Sequence, residues 1–418
     1  MGVEEANGLR FAIVVRSPAV STRADRLAEL TVRFGTNVQP GQVVLVAGEP
    51  EQLELVRAIA EEAYRAGAKF VDTWIFDPYV KRSRLLHAPE DTLDWVPPWY
   101  GARQTEIGEL RGARIALAGD TAVGIFDDVD PTRSGKDRLP MTQESLRVTN
   151  EQTTNWCVVP APSPGWAAAV HPELGGDAAL ERLWDDVEHI LRLDEPDPVA
   201  AWEARIAELN ERAAALGELD LDSLRFAGPG TDLTVGLLPS SIWFAGDFTT
   251  GDGLRHMPNL PTEEVFTTPD PERTEGHVAS TKPLLLPGGI SVEGLRVRFA
   301  GGRAIELEAE VGEDALRSYA AVDDGGSRLG EVALVDGRGR IGKLGTVFRT
   351  TLIDENAASH IALGSAYPFA VGDEADRARM NQSAIHVDFM IGGDEVEVTG
   401  TTRSGDEIAV LRAGSWQF

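Results

Sequence analysis

Between residues 24 and 120, helical and extended signals alternate along the chain, and that rhythm limits the folds open to it. "ADRLAELTVRF" (24–34) carries apolar residues at helical spacing, and "PGQVVLVAGEP" then supplies a turn and a short apolar strand. "PEQLELVRAIAEEAYRAGA" (50–68) predicts a long helix, with Pro50 at its start, where a missing N–H is tolerated, and Gly67 near its end. "KFVDTWIF" and "ARIALAGD" (113–120) predict two more strands. Strands separated by helices pair through crossovers, so the expected fold class is α/β, with a mainly parallel sheet in the N-terminal domain. No G-x-G-x-x-G or G-x-x-x-x-G-K-[ST] follows these strands, so the sheet is not read as a nucleotide site.

The texture then changes twice. From about 145 to 225 helices dominate, with "ALERLWDDVEHILRL" and "VAAWEARIAELNERAAALGEL" as two amphipathic examples. After "FAGPGTDLTVGLLPSS" come short, glycine-punctuated strand candidates: "TDLTVGLL", "LRVRFAGG", "AIELEAEV", "GEVALV" and "EVEVTG". At 418 residues the chain is longer than one core usually holds. The expected division is an N-terminal α/β domain over 1–225 and a C-terminal, strand-rich α+β domain over 226–418.

Charge excludes some partners. With 39 basic and 67 acidic residues the net charge is −28, a field that repels nucleic acid and anionic membranes. Cys157 is the lone cysteine, so no disulfide within the chain and no thiolate zinc finger is expected; among apolar neighbours it reads as packing. "MGVEEANGLRFAIVV" has acidic residues where a secretory leader carries basic ones, and its apolar run is too short to span a bilayer. Ala6 stands where myristoylation needs Ser or Thr. The expected setting is the cytoplasm.

Chemistry concentrates near the C-terminus. Two of only seven histidines, His360 and His386, lie beside carboxylates in "TLIDENAASHIALGSAY" (351–367) and "SAIHVDFMIG". His386 and Asp388 are two apart in an apolar run of strand character, so both project from one face. "DENAASHIALGSAY" predicts a helix capped by Asp354, placing His360 and Tyr367 on one face and Glu355 at the helix mouth. The plainer alternative is a capped helix with His360 as a core residue. Glu331 opens "GEVALV", and Glu263 and Glu264 stand in "NLPTEEVFTTPD". In an alternating strand only one of that pair points inward, and for each of the three the plainer reading is a strand-end carboxylate at the surface. Together these segments offer two imidazoles and at least three carboxylates, more than one catalytic zinc usually takes. The set suits two divalent ions about 3.5–4 Å apart, bridged by a carboxylate and a water. Mixed nitrogen and oxygen ligands of this kind accept Zn²⁺, Co²⁺, Mn²⁺ or Mg²⁺.

"NLPTEEVFTTP", "LGEVALV", "TLIDENAASHIALGSAYP" and "NQSAIHVDFMIG", in this order, resemble the thermophilic-type metalloaminopeptidases of the M29 peptidase family. "VQPGQVVLV" and "TNWCVVPAPSPGWA" extend the resemblance over nearly the whole chain. It implies an α/β N-terminal domain, a C-terminal catalytic domain with two metal ions per chain, and a homodimer enclosing its active sites. The implied ligands are Glu264, Glu331, His360, His386 and Asp388, with Glu264 preferred to Glu263 in a one-residue choice of alignment. Tyr367 falls on the family's active-site tyrosine and Glu355 on its additional acidic position. The implied reaction is removal of the N-terminal residue from a peptide with a free α-amine. Glu355 is the expected general base and Tyr367 the expected oxyanion donor, roles that could be reversed.

Other classes fit less well. No G-x-S-x-G or H-E-x-x-H is present. A mononuclear non-haem iron oxygenase using His360, His386 and Asp388 leaves Glu264 and Glu331 without a role. A dimeric binding protein merely braced by metal is a third reading. His87, His171, His189, His256 and His277 lack ligand-like spacing, although His256 and His277 flank the Glu264 segment and are candidates to line the cavity.

Overall fold

The computed structural model describes residues 22–137, 139–140, 142–286 and 290–418, so the expectations about an N-terminal leader and myristoylation lie outside the described residues. Its first sheet has strands β1 (Val43–Gly48), β2 (Phe70–Ile75), β3 (Ala113–Ala118) and β4 (Asn155–Pro160) in the order β2-β1-β3-β4, all parallel. β4 corrects the sequence expectation: this six-residue strand lies inside the stretch assigned to helices, where helical neighbours on both sides mask so short a signal.

Period-two alternation gives this sheet two different faces. Val44, Val46, Ile115, Cys157 and Val159 point into the core, beneath the helices Arg23–Leu30 and Leu53–Arg65, which contribute Leu27 and Ile59. The opposite face presents Leu45, Ala47, Trp74, Arg114, Ala116, Trp156 and Val158 to a cavity. Burial pushes the Cys157 thiol upward, which fits the packing role.

After the helices Gly176–Ile190 and Pro198–Glu218 the chain enters strand Leu221–Gly228, the start of an eight-stranded antiparallel sheet. One apolar cluster runs from Leu27 through Trp166 and Trp202 to Phe348 and Ile361, so both halves share a core. The Trp166 indole N–H donates to the Phe348 carbonyl at 2.6 Å across that junction.

The sheet that matters for chemistry is smaller. His386–Met390, His360–Gly364, Leu329–Val335 and Glu264–Thr267 pair antiparallel in that spatial order. One face carries Val265, Val332, Leu334, Ile361, Leu363, Val387 and Phe389, all buried in apolar packing. Register partners share a face, so Val335 with Glu264, Ala333 with His360, Ala362 with Asp388 and Gly364 with His386 fall on the other. A slip of one residue in any strand would turn its polar side chains into the core.

The helix expected over 354–367 does not form. A short helix covers Thr351–Asp354, a 3₁₀ turn Glu355–Ala357, and His360 opens a strand. Four alanines and an acidic residue in capping position speak for helix locally, but an extended segment here gains ladders on both sides and buries Ile361 and Leu363. Asp354 closes a loop instead of capping a helix: its carboxylate accepts from the Phe348 N–H at 2.8 Å and the Thr350 N–H at 3.1 Å. Gly364 has φ +111°, and a Cβ there would stand 2.1 Å from the Ile385 carbonyl oxygen, which only glycine avoids. Among the described residues no helix is long and apolar enough to cross a membrane.

Candidate metal centre

The polar face of the small sheet brings together residues that lie far apart in sequence. Glu331 Oε1 stands 3.7 Å from His360 Nε2, and Glu331 Oε2 stands 3.3 Å from His386 Nε2. His360 Nε2 also faces Glu264 Oε2 at 3.0 Å, and His386 Nε2 faces Asp388 Oδ1 at 3.3 Å. The small side chains Ala333 and Ala362, with Gly364, leave the space between them open. Ligand atoms converge within 4.8 Å in three triplets: Glu264, Glu331 and His360; Glu331, His386 and Asp388; and Glu355, His360 and Asp388. Glu331, His360 and Asp388 each belong to two of them, and no triplet holds both imidazoles.

Both rings are oriented from behind. The Nδ1 of His360 lies 3.2 Å from the Ala358 carbonyl, and that of His386 lies 2.8 Å from the Ser365 carbonyl. A carbonyl at Nδ1 holds the proton there and leaves the Nε2 lone pair free toward the cluster, the usual arrangement behind a metal-ligating histidine.

The charge balance of the cluster calls for cations. Glu264, Glu331, Glu355 and Asp388 converge on two imidazoles, and among the described residues no lysine or arginine pairs with any of the four. Burial lowers the proton affinity of both rings, but it is outweighed by Glu264 and Glu331 at His360, and by Tyr367, Asp388 and Glu331 at His386; both rise well above the usual histidine value. Burial raises Glu264, with His360 opposing, and it raises Glu355 well above the carboxylate range with the help of the Asp388 and Glu264 charges. Asp388 falls despite its burial because His386 sits beside it. The converging carboxylates thus draw positive charge toward the two rings. Glu264 Oε2 is buried without a hydrogen bond of good geometry. Two divalent ions would neutralise the four carboxylates and use this orphaned oxygen, so the donor set fits the group that the resemblance implies.

The structure also separates the neighbouring glutamates. Glu264 faces the cluster, whereas Glu263 turns the other way and is fully buried between Arg192 (2.9 Å) and Arg205 (2.6 Å). The surface reading of these carboxylates is therefore overturned, because both alternating directions lead into the protein. Asn356, which the sequence reading passed over, fixes the segment by accepting the Glu263 N–H at 2.6 Å and donating to the Leu352 carbonyl at 2.9 Å. Glu355, expected at a helix mouth, instead hangs from the 3₁₀ turn beside His360 and Asp388.

Tyr367 follows the His360 strand in a loop, its hydroxyl 3.5 Å from His386 Nε2. Phe369 stacks on it at 5.2 Å, and Phe266 and Phe248 extend the aromatic wall. None of these phenylalanines was singled out from sequence, where an isolated aromatic is indistinguishable from a core residue. They line a cavity of about 410 Å³ between the small sheet and the open face of the parallel sheet. His256 lines it as expected. His277 does not: it lies exposed on strand Pro269–Ala279, since alternation turns it outward. A second cavity, about 1070 Å³, reaches His386 and Asp388 from another side.

Comparison with known proteins agrees with this geometry. The family model described as thermophilic metalloprotease (M29) matches residues 20–416. Aminopeptidase T of Thermus aquaticus is 41% identical over 406 residues, covering 95% of this chain and 99% of the relative. The solved structure of wild-type AmpT from Thermus thermophilus superposes with a TM-score of 0.87 at 41% identity, covering 95% of this chain and 99% of that one. 2,5-Dihydroxypyridine dioxygenase from Pseudomonas putida KT2440 gives a TM-score of 0.53 at 14% identity over 96% of this chain and 98% of that one, a likeness of fold alone.

Proposed function

The chain belongs to the M29 thermophilic metalloproteases and is a metal-dependent aminopeptidase; from that premise we propose that it works with two divalent ions held by Glu264, Glu331, His360, His386 and Asp388. The observation that carries the two-ion reading is Glu331, which turns one oxygen to each histidine as a bridging carboxylate does. A one-iron centre on His360, His386 and Asp388 is less well supported, because the two imidazoles anchor different triplets. Ions in this setting polarise a carbonyl and acidify water enough to supply a nucleophile near neutral pH.

The chain's own residues supply the remainder. Glu355 takes the proton of the attacking water and returns it to the leaving amine, a task suited to a carboxylate whose proton affinity is raised by burial. Tyr367 donates a hydrogen bond from its hydroxyl to the oxygen that gains charge as the peptide carbonyl becomes tetrahedral. The aromatic wall excludes water from that donation, which strengthens it. Peptides with a free N-terminus are the substrates under this reading. A homodimer, a cytoplasmic setting, and the assignment of residues 1–225 and 226–418 to separate domains belong to the same proposal.

The test is hydrolysis of aminoacyl-p-nitroanilides by chelator-treated protein before and after Co²⁺ or Zn²⁺ is restored, with metal content measured in parallel. Two ions per chain and cleavage of free-amine but not N-acetylated substrates are expected. One iron per chain, with oxygen uptake and no amide cleavage, would establish the oxygenase instead. Tyr367→Phe is expected to lower kcat about 10²-fold with metal content and KM nearly unchanged. An unaltered kcat would remove Tyr367 from the reaction.

A further inference from the structure

The larger cavity, about 1070 Å³, is walled by His386 and Asp388 of the metal cluster and also by Arg349, Thr350, Thr351 and Leu352. Four lysine or arginine side chains line this cavity or the smaller one, and three of them are committed. Lys81 Nζ donates to the Leu139 carbonyl at 2.7 Å. Arg84 holds the carbonyls of Thr92, Leu93 and Trp95 at 2.9–3.0 Å. Arg114 donates to Thr149 and Thr154 at 2.7 and 3.0 Å. Arg349 is half-buried, and its guanidinium makes no hydrogen bond or ion pair with any described residue. Acids are not scarce in a chain with 67 of them against 39 bases. Those that share the wall are engaged elsewhere: Glu49 with Thr121, Asp77 with the Tyr79 N–H, Asp120 with the Ala122 N–H, and Asp137 with Arg84.

The mount of this arginine is rigid. Its neighbours on both sides are tied down, Phe348 and Thr350 by donating their N–H groups to Asp354, and Phe348 again by accepting the Trp166 indole. Arg349 itself has φ +54°, a left-handed backbone that a side chain of this size rarely adopts unless its surroundings impose it. Asp354 directly precedes Glu355, so the arginine stands on the segment that carries the expected general base. Six residues of mostly helical chain set the two backbones about 9 Å apart. The turn at Glu355 packs in turn against the His386–Met390 strand.

That spacing matches a short peptide. An extended chain advances about 3.5 Å per residue, so the terminal carboxylate of a di- or tripeptide lies about 7–10 Å from its free amine. A planar guanidinium pairs with a carboxylate through two parallel hydrogen bonds, and no described side chain competes for it. We propose that Arg349 binds the C-terminal carboxylate of short peptides and so directs the enzyme toward di- and tripeptides; this rests on the aminopeptidase reading. Such substrates are the products of earlier peptide-bond hydrolysis, which places this reaction after an endopeptidase or longer-range exopeptidase step.

The experiment compares kcat/KM for Leu-Gly and Leu-Gly-amide in metal-loaded protein, following released leucine, so that the amide is the internal reference. The wild type is expected to favour the free acid about 10- to 100-fold, the value of hydrogen bonds between charged groups. In Arg349→Met the ratio falls to within about threefold of unity. Arg349→Asn, whose short side chain tolerates the left-handed backbone, reads the same ratio should the methionine variant fail to fold. Leu-Asp-amide offers the carboxylate on a side chain instead of the terminus. A wild-type ratio near one, a ratio unchanged in both variants, or Leu-Asp-amide preferred to Leu-Gly overturns the proposal. Calorimetry separates its failure from that of the function it rests on. Leu-Gly binding that is lost in Arg349→Met, without cleavage of any peptide, sinks the aminopeptidase reading alone, and equal cleavage of acid and amide sinks the carboxylate site alone.

Discussion

Glu331→Gln is expected to lower aminopeptidase activity by about 10³-fold or more, because an amide can no longer bridge two cations and one ion supplies several kcal/mol of transition-state stabilisation. The substitution preserves shape, so the packing of Val332 and Leu334 on the opposite face of the strand should survive. Metal content is the decisive companion measurement, and it should fall from two ions per chain to one or fewer. Removing metal from the wild type should also lower its thermal unfolding midpoint, since ions that bind only the folded state stabilise it by mass action. In Glu331→Gln that shift should shrink. Full activity with two ions retained would show that Glu331 is a structural carboxylate and that the bridge lies elsewhere.

Glu355→Gln should lower kcat by about 10²- to 10⁴-fold while both ions stay in place, which separates a proton carrier from a ligand. Burial raises the side chain above the ordinary carboxylate range, so it can take up a proton that an exposed glutamate would not retain. The amide keeps the size and contacts but can neither accept nor return that proton. Loss of an ion in this variant would reassign Glu355 as a ligand, in keeping with its triplet with His360 and Asp388. Unchanged kcat with intact metal would remove the base assignment altogether.

The site was legible from sequence in an uneven way. His386 and Asp388 could be placed on one strand face because two-residue spacing and apolar neighbours leave little choice. His360 was placed on a helix, since "ENAASH" has local helix formers and the two strands that claim its neighbours lie about 25 residues away on either side. Geometry nevertheless delivers His360, Tyr367 and Glu355 to one cavity from a strand, a loop and a 3₁₀ turn. The resemblance to a family supplied the grouping that periodicity could not.

Sequence alone determined the parallel α/β beginning, the strand-rich second half and the residue types capable of binding metal. These follow from local periodicity and donor chemistry, which need no partner to be recognised. Only the tertiary structure decided that Glu264 faces the cluster while Glu263 is held by Arg192 and Arg205. It alone decided that Glu331 looks to both histidines, and that Arg114 of the first sheet shares a cavity with residues of the second half. Such facts depend on strand register and on two sheets packing face to face, and no single segment carries that information.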